Sequence, residues 1–223
     1  MNSRSWGFLL ALLLIVTGPV FGALTDGLTL YYSFNTNTGS TVLDQSGNGH
    51  AGTVKGAVYA TAGVSGGAYE FNTNSWIEAG DVCDLTGTTT QLTVCAWVKT
   101  KQVMPNHEAT IVSKCQEAFP YRGWIITHEY NNHCLSEIDA TRPQLTSADS
   151  TSIIGDDQWH FICATFETYP GLMRCTIYVD GLLEDTGTRA GPYNSTKAAT
   201  PLTIGARQPR GDVHWDFKGL IDE

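Results

Sequence analysis

Apolar and polar residues alternate along most of this chain, and the clearest alternation lies between residues 159 and 181. Aromatic and β-branched residues recur at every second position in 162–166 and again in 175–179, a period typical of β-strands and unlike the helical period of about 3.6 residues. A Pro-Gly pair at 170–171 separates the two segments, and an Asp-Gly pair at 180–181 follows the second. The pattern therefore predicts a β-hairpin with a second tight turn behind it.

Further strand signals occur at short intervals. They lie at 28–34, 68–71, 75–78, 92–99, 111–114, 124–128, 135–138, 201–205 and 219–223. Segments 68–71 and 75–78 are predicted to form another hairpin around a turn at 72–74. The 23 glycines supply turns, and no helical pattern of useful length follows residue 22. These features predict one all-β domain built as an antiparallel two-sheet sandwich.

The first 22 residues have the layout of a secretory signal peptide. A single positive charge at Arg4 precedes an apolar run from 6 to 16, and small residues lie near Gly22, where we place the cleavage site. An uncleaved membrane anchor is the alternative, but the apolar run is about half of the ~20 residues that a span needs. No later stretch is apolar enough to cross a membrane. We therefore expect a secreted, extracellular domain over residues 23–223.

The net charge of the chain and the distribution of its basic residues indicate which classes of partner it can bind. There are 13 Lys and Arg residues against 22 Asp and Glu, a formal net charge of −9, and the basic residues are scattered. Binding of nucleic acid needs clustered Lys and Arg that displace counterions from phosphates. The sequence therefore predicts no nucleic-acid partner. An acidic surface fits an extracellular domain, and clustered carboxylates can hold a cation.

Six cysteines follow the predicted signal peptide, an even number in a context where disulfides persist. They are Cys83, Cys95, Cys115, Cys134, Cys163 and Cys175. We expect three disulfides, although sequence alone leaves the pairing open. Pairing of neighbours along the chain (83 with 95, 115 with 134, 163 with 175) is one hypothesis. Structural zinc is the rival interpretation, but the chain lacks a C-x-x-C motif and a His spaced beside a Cys pair.

Several separated motifs, taken in order, resemble the laminin G-like and concanavalin A-like jelly-roll domains of the lectin and glucanase group. An aromatic segment at 28–34 runs into the loop DQSGNGH at 44–50, and the element at 68–78 follows. Residues 156–181 then have the order Asp-x-x-Trp-His, strand, turn, strand, Tyr-Val-Asp-Gly, and the chain closes with GLIDE at 219–223. The resemblance implies a two-sheet jelly roll. In that family the last phrase precedes further strand, so the domain is expected to be truncated at its C-terminal strand.

Glucanases of this jelly-roll group carry Glu, Asp and Glu at alternating positions of one strand, and residues 137–141 match that motif in part. Glu137 and Asp139 share one face of the strand, but Thr141 stands where the second glutamate is needed. A retaining glycosidase requires two carboxylates about 5 Å apart. No Gly-x-Ser-x-Gly elbow or Ser-His-Asp arrangement is present either. We therefore expect no enzymatic activity and interpret the two acids as a solvated strand edge.

The resemblance also implies one Ca²⁺ at the rim of the sandwich, near the end of the first strand and the C-terminal Ile-Asp. The matching positions are Asn35 and Asp222, with Asp44 as an addition. Family members commonly carry Asp at the position of Asn35. The amide removes one negative charge and is expected to weaken a site that needs about six to eight oxygens. In the alternative interpretation, Asp44 belongs to a turn and Asp222 to a strand end.

Sugar binding in such folds combines aromatic ring faces with amide and carboxylate hydrogen bonds. The aromatic residues in or beside predicted loops are Trp76, Trp124, Tyr193 and Trp215. Trp97 and Trp159 lie inside strong strand patterns and are assigned to packing. Asn194 begins an Asn-Ser-Thr glycosylation acceptor.

Taken together, the residues and the resemblance favour a secreted, noncatalytic recognition domain that binds a glycan or a glycosylated surface, with Ca²⁺ as an expected cofactor. A protein-interaction or adhesion domain of laminin G type, with an extracellular protein as partner, is the alternative, because one scaffold serves both roles. A glycoside hydrolase is the third and least favoured class.

Overall fold

The computed structural model describes residues 25–86, 90–102, 108–116, 122–129, 131–140, 145–190, 197–207 and 215–223. The predicted signal peptide, residues 1–22, lies outside this range. The regular structure of the described residues consists of β-strands. Within those ranges, no helix has the length and apolarity needed to cross a membrane.

Fifteen strands are present in the described part of the chain. In order they are β1 (Thr41–Val42), β2 (Gly52–Lys55), β3 (Val58–Ala60), β4 (Ala68–Phe71), β5 (Trp76–Gly80), β6 (Gln91–Lys99), β7 (Ala109–Gln116), β8 (Arg122–His128), β9 (Cys134–Asp139), β10 (Leu145–Asp149), β11 (Trp159–Tyr169), β12 (Leu172–Val179), β13 (Leu182–Ala190), β14 (Leu202–Ile204) and β15 (Gly219–Asp222).

The strands form two antiparallel sheets. The eight-stranded sheet has the order β1-β2-β5-β14-β7-β8-β9-β10, and the seven-stranded sheet has the order β13-β12-β11-β6-β15-β4-β3. Neighbours in each sheet come from distant parts of the chain; β15, the last described strand, lies between β4 and β6. The predicted all-β two-sheet sandwich is confirmed.

The hairpin predicted at 159–181 is formed by β11 and β12, with Phe166 opposite Cys175. Its Pro-Gly turn contains Gly171 at a φ of 81°. The second turn, between β12 and β13, has Asp180 and Gly181 at φ values of 52° and 80°. Positive φ at both central positions is what a tight two-residue hairpin turn requires. Both predicted turns are therefore confirmed.

The hairpin predicted for 68–71 and 75–78 is wrong. Strand β4 belongs to the seven-stranded sheet, whereas β5 belongs to the eight-stranded sheet. The turn between them is closed by Ser75, whose hydroxyl donates to the carbonyl of Asn72 at 2.8 Å. This turn carries the chain from one sheet to the other, and a turn signature does not reveal whether the flanking strands pair with each other.

The opening strand predicted at 28–34 is also wrong, because these residues form no strand ladder. Tyr32 and Phe34 are nevertheless buried, and the carbonyl of Tyr31 accepts a hydrogen bond from the amide of Gln45. The alternation there reflects burial of one side of an extended segment, which does not require a paired neighbour.

The core lies between the sheets, where the inner sides of the strands meet. Trp124 of β8 packs against Phe166 of β11 with ring centroids 5.3 Å apart. Phe71, Ile77 and Phe217 are fully buried in the same cluster. Burying one such side chain stabilises the fold by about 1.5–3 kcal/mol, so this contact between the sheets is the main source of stability.

One lysine is buried at the edge of this core. Lys114 of β7 is fully buried, and its ammonium group forms an ion pair with Asp81 and donates to the carbonyl of Thr200. Asp84 lies 3.6 Å from the same nitrogen. A buried ammonium is costly unless it is paired. The lysine therefore binds the segment after β5 and the segment before β14 to the centre of the eight-stranded sheet.

A histidine at the other end of β8 is buried and uncharged. His128 is fully buried and lies opposite Ala109 of β7 and Cys134 of β9. Burial lowers the pKa of His128 to about 4, against a smaller opposing effect of Asn132. The neutral imidazole is therefore the form present at physiological pH.

We predict that His128→Leu stabilises the protein under acidic conditions. Below pH 6.5 the unfolded chain takes up a proton that the folded protein cannot accept until about pH 4, so this group makes the wild type lose about 1.4 kcal/mol per pH unit in that window. At pH 8 the imidazole is neutral in both the folded and the unfolded state. The change in the free energy of unfolding caused by the substitution, measured in urea, should therefore be about 2 kcal/mol more favourable at pH 5 than at pH 8. An identical effect at the two pH values would contradict the prediction.

Candidate functional site

The outer face of the eight-stranded sheet, which points away from the other sheet, carries an aromatic residue on β5. Ile77 is fully buried in the core, so the alternation of the strand places Trp76 on the outer side. Trp76 is half-buried, and its indole Nε1 is buried with no hydrogen-bond partner among the described residues. Part of the ring is therefore exposed on the outer face, whereas the indole donor is enclosed.

A second tryptophan lies at the end of this sheet, against an arginine. The guanidinium carbon of Arg207 lies 4.8 Å from the centre of the Trp215 ring. The same guanidinium forms an ion pair with Glu108 at 2.6 Å. The Arg207 side chain is only 7% exposed, so its orientation is fixed by the ring on one side and the carboxylate on the other.

A glutamate extends this group across the sheet. Ala109 pairs with His128, and continuing that register places Glu108 opposite Glu129. The hydroxyl of Thr127 donates to Glu129 at 2.6 Å. Burial, together with the neighbouring Glu108, raises the pKa of Glu129 to about 7. We call Arg207, Trp215, Glu108 and Glu129 the arginine–tryptophan cluster.

The backbone that presents the cluster is held by the strands beneath it. The amide of Gly205, just after β14, donates to the carbonyl of Ile111 at 2.8 Å, and the amide of Phe217 donates to Gly205 at 2.9 Å. Gly205 has a φ of 86°, and a Cβ there would lie 2.1 Å from the Phe71 ring. Only glycine fits at this position, so it fixes the course of the chain on both sides of the cluster.

The structure brings two of the four predicted sugar-binding residues to the same edge. The carboxylate of Asp216, next to Trp215, accepts a hydrogen bond from the amide of Asn74 at 2.6 Å, two residues before Trp76. Tyr193 lies outside the described residues, as does the predicted glycosylation site Asn194.

The assignment of Trp124 to sugar binding is wrong. This residue is 1% exposed and belongs to the core, and its indole nitrogen donates to the carbonyl of Cys83 at 2.9 Å. Trp124 alternates with Ile125 on β8, and the even-numbered positions of that strand face the other sheet. The sequence next to it has turn-forming residues, which made a strand position resemble a loop.

Sequence reasoning missed three members of the cluster. Glu108, Glu129 and Arg207 belong to none of the motifs identified in the sequence. Their proximity results from the order of β14, β7 and β8 in the sheet. A charged residue near a strand end was the available signal, but such residues are common and do not identify a site by themselves.

The two acids of the partial glycosidase motif lie on the outer face of β9. Ile138 is fully buried in the core, so Glu137 and Asp139 share the opposite side, as predicted. Asp139 is 6% exposed, so it is covered rather than solvated, contrary to the prediction for that position. Thr141 lies outside the described residues.

The predicted metal ligands Asn35 and Asp222 meet at one loop. One carboxylate oxygen of Asp222 accepts hydrogen bonds from the amides of Val64 and Ser65, at 2.7 and 3.2 Å. Its other oxygen is buried with no hydrogen-bond partner in the described structure. The side-chain oxygen of Asn35 lies against the same loop, since a Cβ built on Gly66 would lie 2.1 Å from it. Burial raises the pKa of Asp222.

Asp44 has a different environment. Its carboxylate accepts hydrogen bonds from the amides of Tyr31, Ser46 and His50 at 2.9–3.1 Å. Burial acts to raise the pKa of Asp44, but these hydrogen bonds and the Ser46 hydroxyl together lower it to about 2. The residue therefore closes its own loop, which is the alternative interpretation of this position. Among the described residues, no group of three or more His, Cys, Asp or Glu side chains is arranged to hold a metal ion.

The predicted pairing of cysteines that are neighbours along the chain does not fit the fold. Cys163 lies on the outer face of β11, whereas Cys175 is on the inner face of β12. Cys115 and Cys134 lie near opposite ends of their strands, since they pair with Gly123 and His128 respectively. Alternation and strand order separate pairs that are close in sequence.

The fold instead brings together two cysteines that are far apart in sequence. Cys95 and Cys163 lie directly opposite each other on β6 and β11, with their sulfur atoms 2.6 Å apart. Cys95 is exposed and Cys163 is half-buried. Directly opposed positions on neighbouring antiparallel strands bring the two side chains within reach of a disulfide.

Trp97 packs against a neighbouring ring, as assigned, but it does so on the outer side of its sheet. Ala96 and Val98 beside it are buried, so Trp97 is on the outer face of the seven-stranded sheet, half-buried, with its ring 5.2 Å from that of Phe161. The pair covers the outer side of β6 and β11 rather than the core. Period-two alternation assigns residues to two faces, but it does not say that both faces are buried.

Comparison with known proteins identifies a family of similar sequence and solved structures of similar fold. The family model described as the concanavalin A-like lectin/glucanases superfamily matches residues 71–223. No curated protein sequence matches the chain.

Among solved structures, the Trypanosoma rangeli sialidase in complex with a difluoro-KDN compound is 15% identical, with a TM-score of 0.56, over 86% of this chain and 28% of that one. Domains LG4-5 of the mouse laminin alpha1 chain are 18% identical, with a TM-score of 0.52, over 74% and 42%. The Ruminococcus gnavus IT-sialidase CBM40 bound to alpha2,3 sialyllactose is 15% identical, with a TM-score of 0.49, over 70% and 88%. At these identities the likeness concerns the fold.

We predict that Cys95 and Cys163 form a disulfide when the protein is exposed to glutathione disulfide. The two thiols lose two protons and two electrons, and the oxidant is reduced to two molecules of glutathione. Peptide mapping without reduction should yield one cross-linked peptide pair with two hydrogens fewer. The bond closes a loop of 68 residues and should stabilise the fold by about 2–4 kcal/mol.

The matched variants for this test are Cys163→Ser, which should abolish the cross-link, and Cys175→Ser, which should retain it. A cross-link between Cys163 and Cys175, or complete alkylation of all six thiols after oxidation, would contradict the prediction.

Proposed function

Because this chain belongs to the concanavalin A-like lectin/glucanase superfamily, we propose that it is a secreted, noncatalytic carbohydrate-binding domain whose sugar-binding surface is the arginine–tryptophan cluster. The observation that carries the proposal is the preset orientation of Arg207, which is nearly buried between the Trp215 ring and the Glu108 carboxylate. Such a group can donate hydrogen bonds to a sugar without first losing conformational entropy.

The cluster offers the types of contact that sugars need. The Trp215 ring is half-buried, so part of it can contact the apolar face of a pyranose, while the guanidinium donates to ring or hydroxyl oxygens. Glu108 and Glu129 accept hydrogen bonds from hydroxyl groups when ionised. Trp76 on the same edge adds a second, half-buried ring. Together these groups cover both the apolar and the polar sides of a saccharide.

One observation favours hydrolysis as a second candidate. A carboxylic acid with a pKa of about 7 beside another carboxylate, as at Glu129 and Glu108, is the arrangement from which glycosidases build an acid and a nucleophile. Here, however, Glu108 is already engaged by Arg207, which reduces its nucleophilicity. We therefore propose binding, and the assay below also measures release of reducing sugar.

We expect the full secreted chain to bind glycans on an array, and Trp215→Ala to weaken that binding about tenfold or more through loss of ring stacking. Trp97→Ala, on the outer face of the other sheet, is the matched control and should bind as the wild type does. Circular dichroism and thermal melts should show both variants folded.

Wild-type affinity of a folded Trp215→Ala variant would contradict the proposed surface. Release of reducing sugar that is lost in Glu129→Gln would support hydrolysis instead. If the wild type binds no glycan on the array but captures a defined extracellular protein, the adhesion alternative is supported.

We also propose a Ca²⁺ site at the loop that joins Asn35 and Asp222. The residues present fit such an ion: a buried carboxylate oxygen of Asp222 has no other partner among the described residues, and the amide oxygen of Asn35 lies against the same loop. Backbone carbonyls there supply the neutral oxygens that Ca²⁺ accepts. The ion would neutralise the Asp222 carboxylate and hold the loop to the end of β15.

The calcium proposal predicts a higher melting temperature in millimolar Ca²⁺ than in chelator, because an ion that binds only the folded state stabilises it. Asp222→Asn should remove the difference. Asp44→Asn should lower the melting temperature, since it weakens a loop, while keeping the response to Ca²⁺. An unchanged melting temperature of the wild type would overturn the site.

Secretion is the remaining part of the proposal. It is supported by the layout of residues 1–22 and by the exposed Cys95 and its partner, which suit an oxidising compartment. Cleavage after Gly22 would appear as a mature N-terminus at Ala23 in the secreted protein.

A further inference from the structure

A groove on the outer face of the seven-stranded sheet has a composition unlike the rest of the molecule. Its volume is about 500 Å³, within the range of sites that hold small ligands. It is lined by Ala60, Glu70, Asn72, Lys99, Thr100, Lys101, Gln102, Asp157, Lys218, Gly219 and Leu220. The groove lies on the sheet opposite the arginine–tryptophan cluster, so it does not depend on the function proposed for that cluster.

Three of the six lysines of the chain line this groove. Of the other three, Lys114 and Lys197 form ion pairs with Asp81 and Asp84, and Lys55 lies on the other sheet. Within the described residues, Lys99, Lys101 and Lys218 form no ion pair. With the carboxylates of Glu70 and Asp157, which also line the groove, the three ammonium groups leave a formal charge of +1 there, on a protein with a net charge of −9, and this local positive charge attracts an anion.

The frame of the groove is hydrogen-bonded and therefore preformed. The hydroxyl of Thr100 donates to the carbonyl of Lys218 at 2.6 Å, and the amide of Lys218 donates to the side chain of Gln102 at 2.9 Å. The amide of Asp157 donates to the carbonyl of Thr100 at 2.8 Å. These bonds join the end of β6 to the start of β15, and they place the three lysine-bearing backbone positions in fixed relation.

The remaining lining groups define the ligand further. Glu70 and Asp157 add two carboxylates, and these accept hydrogen bonds from hydroxyl groups. Ala60 and Leu220 offer a small apolar surface, and none of the lining residues carries an aromatic ring, so a nucleobase or another flat aromatic ligand would find nothing to stack on. The lining suits a molecule that carries both a negative charge and several hydroxyl groups.

We propose that this lysine groove binds an acidic saccharide, through the carboxylate or sulfate group of a sugar unit held by Lys99, Lys101 and Lys218. The sugar hydroxyl groups donate to Glu70 and Asp157, and the ring lies over Leu220. The volume of the groove accommodates one or two sugar units. Because the main attraction is between exposed charges, affinity depends strongly on ionic strength.

The test is calorimetric titration of the full chain with two acidic probes, an oligogalacturonate for the carboxylate and a heparin-derived tetrasaccharide for the sulfate, and with a neutral galactose oligomer. At least one acidic probe should bind, more weakly as the salt concentration rises from about 0.05 M to about 0.5 M. Lys101→Gln and Lys218→Gln should each reduce that affinity about three- to tenfold, since each removes one charge-assisted contact.

Lys55→Gln is the matched control, because it removes the same charge from an exposed position on the other sheet, and it should bind as the wild type does. Trp215→Ala assigns the acidic probe to one of the two surfaces: loss of binding in this variant, but not in Lys101→Gln and Lys218→Gln, would place the probe at the arginine–tryptophan cluster and overturn the groove. If the glycan-array test of the arginine–tryptophan cluster fails, the titration results expected for the lysine groove do not change.

Binding of the carboxylate probe alone, or of the sulfate probe alone, would identify which anionic group the lysines recognise. The proposal is overturned if neither acidic probe binds, if the neutral oligomer binds equally well, or if Lys55→Gln weakens binding as much as the groove variants do.

Discussion

Trp124 and Phe166 face each other across the gap between the two sheets, and the position of each surface described above follows from that packing. Every long strand must turn one side toward the core, so its alternate residues are directed outward. The inward-facing side chains form the core that excludes water, so they do not contact ligands. Chemistry is therefore confined to two outer faces and to the loops at the rim, which is where the arginine–tryptophan cluster, the lysine groove and the Asp222 loop lie.

Buried polar groups connect those rim segments to the core. Lys114 holds Asp81 and the carbonyl of Thr200, and Asp222 holds the amides of Val64 and Ser65. In each case a buried charged group is paired with backbone or side-chain groups from distant loops, because burying it without partners would cost free energy. Loops that carry binding residues are thus ordered by the same interactions that satisfy the interior.

The two outer faces differ in electrostatic character. The face of the eight-stranded sheet combines aromatic rings with one guanidinium and two carboxylates, a mixture suited to neutral hydroxyl-bearing ligands. The face of the seven-stranded sheet gathers three lysines at one end and the Cys95 and Cys163 thiols, beside the Trp97 and Phe161 rings, near its centre. Two sheets of one sandwich can therefore present two kinds of ligand chemistry without competing for the same residues.

The sequence by itself determined the all-β class, most strands and both turns of the central hairpin, because alternation and Pro-Gly or Asp-Gly signals act over a few residues. Only the tertiary structure decided that Trp124 is buried and Trp97 is not, that Cys95 meets Cys163, and that Arg207, Glu108 and Trp215 converge. Strand order and the choice of inner face depend on contacts between residues far apart in the chain, and local patterns do not encode such contacts.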